Sequence, residues 1–275
     1  SQLSQILFTG LDLLIANLFM GTEDMGILSI AKTLPVMLIS FIGVISGAFA
    51  PSMTISYSTQ SSDEFFSETK FAAKLCGYIC SVPIIGIIVF GGSFFSLWLP
   101  TLTDGEISLV RALCILTLLP QIFSIYVFPL HQINTITCRV KVPAVIDCVI
   151  GIINIAVVYF LLRLTDLGLF AIAGVSSVLL LLKTVIFVPI YAAHNINAKL
   201  NVFYPYLLKG LVLNTVVLGI CVCVRSCFKI NSWHVLIAAA ATAAAVSYCA
   251  GFFIMFSKEE KKKVTAVLVK KLKRR

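Results

Sequence analysis

The sequence predicts an all-α membrane protein, a polytopic bundle of about eight transmembrane helices. Three observations carry that expectation. Hydrophobic residues make up 59% of the 275 and charged residues only 12%, with a mean hydropathy of +1.03, so a soluble core with a polar rind cannot be assembled from this chain. Apolar runs recur along its whole length at roughly 20 residues each, enough to cross a ~30 Å hydrocarbon layer at ~1.5 Å per residue. These runs do not show the polar and apolar alternation over ~10 residues that marks barrel strands.

The first span is read from Gln5 to Met20 and the second from Ile27 to about Tyr57, joined by GTEDMG. A polar stretch, STQSSDEFFSETK, leads into the third, about Phe71 to Leu97; the fourth covers Ile107 to Asn134. The remaining four are Val142 to Leu162, Leu167 to Ala192, Tyr204 to Val224 and Trp233 to Phe256. Connections such as GTEDMG, TCRVK and RLTDLG are short, which predicts that consecutive helices are antiparallel neighbours. Prolines at 35, 51, 83, 120 and 129 remove backbone donors inside the first four spans, so those helices should bend or break. The last two spans lack internal proline, and Ala238 to Ala245 offers a small-residue face for close helix contact. The expected organisation is a six-helix lobe over 1–195, two accessory helices over 196–256 and a basic tail over 257–275.

The formal charge of +9 is concentrated in that tail: nine of the 21 Lys and Arg fall in KEEKKKVTAVLVKKLKRR. By the positive-inside rule the C-terminus is expected in the cytoplasm, with anionic lipid headgroups as the tail's partner and no nucleic acid. Loop charges agree for the first two outer loops, acidic at Glu23–Asp24 and at Asp104 and Glu106; the outer loop with Arg225 and Lys229 dissents. Most of the nine cysteines lie in or beside apolar runs, as small hydrophobes, and Cys227 is the one expected to be reactive. A chain that opens on Ser with a span almost at once, and no signal-peptide features, reads as a portion of a longer protein.

Charge at mid-bilayer costs ~2.5 to 3.5 kcal/mol on insertion scales, so an acid or base inside a span must face the bundle interior. Asp12 lies nine residues before Gly21 and Lys32 six residues after Gly26, placing them roughly 13 and 9 Å from the first turn. They are read as polar groups lining a water-filled cavity, as a structural ion pair, or with Lys32 alone snorkelling to the interface. Asn17 is a further candidate for that cavity. Asp147 and Asn154 share a helix face at i, i+7, and Asp147 is within reach of Lys183 on the next span. No enzyme constellation emerges: His131, His194 and His234 are far apart, HExxH is missing, and no phosphate-binding GxxxxGK loop provides for ATP. No cofactor is expected. An ion-driven transporter or a facilitator is the remaining class.

The opening GLDLLIANLFMGTEDMGILSIAKTLP resembles a recurrent pattern of the oligosaccharide-lipid flippases, the O-antigen flippase-like, polysaccharide-exporter branch of the MATE-like multidrug/oligosaccharidyl-lipid/polysaccharide superfamily. The matching positions are Asp12, Leu13, Leu14, Ile15, Gly21, Gly26, Leu28, Ser29, Ile30, Ala31 and Lys32, with Leu28 where an aromatic is usual. HQINTITCRVKVPAVIDCVIGIINIAVVYFLLRLTDLGLFAIAGVSSV is similar to the family's second basic turn, Asn-bearing helix and Gly-rich helix start. Gly168, Ala171 and Gly174 depart from the tighter family pattern there. The resemblance implies the second lobe of a MATE-like fold plus two accessory helices. It also implies alternating-access transport of undecaprenyl-diphosphate-linked oligosaccharide across a bacterial inner membrane. Lys32 would then contact the diphosphate, and Asp12 would hold Lys32 or bind a coupling cation. The alternative is a MATE-type drug/cation antiporter, which would favour excess cavity carboxylate. A membrane glycan ligase or polymerase would need a larger outer loop, and a purely structural subunit would need no buried charge pair.

Overall fold

The computed structural model describes residues 2–59, 62–257 and 260–261, the side chains of 2–9 and 62–63 excepted. All the regular structure in them is helical: α1 Gln2–Met20, α2 Thr22–Gly47, α3 Ala50–Ser58, α4 Ser62–Trp98, α5 Asp104–Leu118, α6 Gln121–Val127 and α7 Leu130–Ile136. The chain continues with α8 Lys141–Leu164, α9 Leu169–Leu182, a π-helical turn Lys183–Phe187, α10 Val188–Asn195, α11 Tyr204–Cys227 and α12 Trp233–Met255. Seven stretches are long and apolar enough to cross a bilayer, and α1 adds a shorter apolar segment, Gly10–Met20. This is a multi-pass α-helical membrane protein. The basic tail beyond Lys261 lies outside the described residues.

Prolines divide the spans unevenly. Helices α2 and α4 run on through Pro35 and Pro83, whereas Pro51, Pro120 and Pro129 stand at the starts of α3, α6 and α7. A proline in an intact helix orphans the carbonyl four residues back, and lipid cannot satisfy it. For Pro83 that group is the Ile79 carbonyl, which accepts the Tyr248 hydroxyl of α12 at 2.9 Å. The Tyr78 hydroxyl of α4 donates in return to the Tyr248 carbonyl at 2.9 Å. For Pro189 it is the Val185 carbonyl in the π-turn, which accepts Tyr204 of α11 at 3.1 Å. Tyrosines on the last two spans therefore meet backbone groups that prolines free in earlier ones.

The interior is closed by small residues. Ala239, Ala243, Ser247 and Gly251 recur every four positions on the buried stripe of α12, and that helix packs on α11 and α4. Between α4 and α11 the ring of Tyr126 is held against Gly77 and Gly210, where an added Cβ would lie 1.9 and 2.4 Å from ring atoms. The Tyr126 hydroxyl donates to the Gly210 carbonyl at 3.0 Å. Phe94 links Trp98 and Trp233, with both ring centroid distances at 5.6 Å. These two half-exposed tryptophans mark the end of the bundle opposite the tail, at the level where an interfacial aromatic belt belongs.

Two expectations are corrected. Short connections do not make every consecutive pair neighbours: α8 follows the TCRVK turn but packs on α9 and α1, not on α5 to α7. The turn after α1 is Gly21 alone, because α2 already begins at Thr22. At φ 103° Gly21 occupies backbone space that L side chains rarely adopt, and this single residue reverses the chain.

Candidate functional site

Starting α2 at Thr22 changes the level of Lys32. Counting from Gly21, Asp12 is nine residues back and Lys32 eleven forward, roughly 13 and 16 Å along the two helices. The pair is nearly level, and Lys32 Nζ donates directly to Asp12 Oδ2. Asp12 is fully buried and Lys32 is 6% exposed.

Two further helices close over them. Helix α8 turns Gly151, Asn154 and Val158 inward, and Asn154 Nδ2 donates to Asp12 Oδ1 at 3.2 Å. From α9, the Ser176 hydroxyl stands 2.8 Å from both carboxylate oxygens and 3.3 Å from Asn154 Oδ1. The Asp12 carboxylate thus meets three side chains from three helices. Each contact gives the buried carboxylate a hydrogen-bonding partner and offsets the desolvation of a charge held inside a bundle.

Among the described residues the carboxylate itself is occluded: the amide of Asn154 and the hydroxyl of Ser176 lie against it, with the half-buried Ser176 at the outer edge of the cluster. Asn17 is exposed and does not join it, since five residues turn it roughly 140° around α1 from Asp12. Asp147 and Lys183 form a second ion pair, each side chain 12% exposed, nearer the tail end and linking α8 to the π-turn. Between α7 and α10, Asn195 Nδ2 donates to Asn134 Oδ1 at 2.9 Å. The candidate residues therefore separate into an occluded cluster of Asp12, Lys32 and Asn154, a second pair of Asp147 and Lys183, and an outward-facing Asn17.

Ser176 was not among the residues singled out in the sequence. One signal would have found it: it stands seven and four residues after the buried Leu169 and Ile172, on the same stripe of α9. Among the cysteines, Cys138 in the turn before α8 is exposed, as is Cys227. Among the described residues no cluster of three or more His, Cys, Asp and Glu side chains could hold a metal ion.

A curated relative, described as the uncharacterized membrane protein EpsK of Bacillus subtilis (strain 168), is 29% identical over 242 residues. The match takes in 86% of this chain but 46% of EpsK, so the chain spans about half the length of that relative. No family model matches the sequence, and no solved structure matches it.

Proposed function

We propose that this chain forms part of an alternating-access transporter that moves undecaprenyl-diphosphate-linked saccharide across a bacterial inner membrane, with its C-terminal tail in the cytoplasm. The observation that carries the reading is the occluded charge cluster. Replacing a buried ion pair by apolar groups of similar size is often neutral or stabilising, and lipid-embedded helices associate without charge. A pair sealed across α1, α2, α8 and α9 is therefore more than packing needs. Support also comes from the motif resemblance centred on Asp12 and Lys32, and from the likeness to a membrane protein about twice this length.

On this reading the sealed state is the resting one. A diphosphate reaching the cluster competes with Asp12 for Lys32, and the freed carboxylate becomes available to a coupling cation. The ion pair then serves as a latch between α1 and α2, and the chain carries out no covalent chemistry. The balance of one acid and one base at the centre favours an anionic cargo over the cationic drugs of the antiporter alternative, which resistance assays in a drug-sensitive host would distinguish. The test is translocation of a fluorescent diphosphate-linked saccharide by the intact gene product in proteoliposomes. Lys32→Ala should abolish it, and unchanged transport would remove the assignment.

A further inference from the structure

A cavity of about 500 Å³ opens at the end of the bundle opposite the tail, between the last turn of α4, the first turns of α5 and the α11–α12 loop. Two arginines line it. Arg111 reaches across from α5 and lies along α4 at Gly92, where an added Cβ would stand 3.1 Å from its Cδ. Its Nε is buried and has no hydrogen-bond partner among the described residues. Arg225, in the last turn of α11, gives one N–H to the Val89 carbonyl at 2.7 Å, which leaves the rest of its fork to the cavity. Ser93, Ser96, Ser108 and Asn231 supply neutral polar groups, and Asp104 is the acid of the lining.

We propose that this cavity is a second ligand site, one that takes a phosphate-type oxyanion. Arg111 and Arg225 line the cavity from two different helices, α5 and α11, and a doubly charged tetrahedral anion held there gains charge-assisted hydrogen bonds. The planar fork of arginine matches phosphate oxygens in pairs. Ser93, Ser108 and the Asn231 amide are further hydrogen-bonding groups of the lining, while the Ser96 hydroxyl donates to the Gly92 carbonyl at 2.9 Å, and the pocket has room for an adjoining sugar. The phosphate has two sources: a soluble phosphate or diphosphate, such as the head of the cargo arriving at this face, or the headgroup of an anionic membrane lipid. Only the link to cargo rests on the proposed function. The site itself lies away from the Asp12 cluster and stands or falls separately.

The experiment is isothermal titration of the purified protein in phosphatidylcholine nanodiscs with inorganic phosphate and with pyrophosphate. A parallel arm follows the thermal midpoint in discs doped with phosphatidylglycerol. Saturable binding of pyrophosphate in plain discs identifies a soluble source; a rise of the midpoint confined to doped discs identifies the lipid. In either arm Arg111→Gln should weaken the effect about tenfold or more, the loss of one charged hydrogen-bonding partner. Arg111→Lys should recover part of it, because a point charge replaces a fork. Arg225→Gln should weaken the effect as well, a response expected of this cavity and not of the Asp12 cluster. No response in both arms, or Arg111→Gln and Arg111→Lys both matching the parent, would overturn the proposal.

Discussion

Removing the charge of Lys32 alone, by Lys32→Met, strands the Asp12 carboxylate at zero exposure with only Asn154 and Ser176 to satisfy it. Breaking one side of a buried pair costs about 3–5 kcal/mol. At about 2–4 °C per kcal/mol for a chain of this size, the thermal midpoint should fall by about 6–20 °C. Asp12→Asn should cost a similar amount, since the Lys32 ammonium is then left without a counter-charge. The double variant Asp12→Asn/Lys32→Met buries no charge, and its amide can still meet Ser176, so it should recover most of the loss. The cycle should therefore show a coupling energy of about 3 kcal/mol or more, at the upper end of what contacting residues give. Unfolding in detergent followed by tryptophan fluorescence, with Trp98 and Trp233 as reporters, measures all four proteins. Because the pair is occluded, the coupling should change little between low and 1 M salt, where an exposed pair would be screened. Single variants within 1 kcal/mol of the parent, or a double variant as unstable as the two losses combined, would refute the sealed arrangement.

Gly77→Ala should destabilise the bundle by about 1–3 kcal/mol, because the new methyl overlaps the buried Tyr126 ring; the same unfolding assay reads it. Tyr248→Phe leaves the Ile79 carbonyl, orphaned by Pro83, without its donor. It should cost about 1–3 kcal/mol, while the same change in a Pro83→Ala background should cost less. At the tail end Lys74 Nζ meets Glu260 Oε1 at 2.6 Å. Burial raises the Glu260 carboxyl, but hydrogen bonds from Lys74 and Ser257 outweigh it and hold the group below its ordinary range. Protons thus bind the unfolded segment more tightly than the docked one. The contact is complete above about pH 4.3 and weakens as pH falls through the lowered value, so hydrogen-exchange protection at 260–261 should drop there and be insensitive to pH above it.

Much of the architecture was legible because lipid leaves few choices: a run of roughly 20 apolar residues must be helical, and its length sets its ends. The spans from Val142 onward fall within three residues or so of α8 to α12. The breaks at Pro51, Pro120 and Pro129 were visible, but the continuity through Pro35 and Pro83 was not, since it depends on donors such as Tyr248 that are distant in sequence. The pairing of Asp12 with Lys32 could be read from their depths, as could that of Asp147 with Lys183. Which other side chains meet the first pair could not, because Asn154 and Ser176 come to it from α8 and α9, more than 120 residues away. Asn17 was a candidate as a polar residue of the same span as Asp12, and helical phase places it on another face.

The central claim is that the sealed ion pair works in transport and does not merely hold helices together. Translocation of diphosphate-linked saccharide by the folded Asp12→Asn/Lys32→Met variant, compared with the parent in matched proteoliposomes, tests it most directly. The account predicts a thermal midpoint close to the parent's with transport lost; parental transport by this charge-free protein would contradict it.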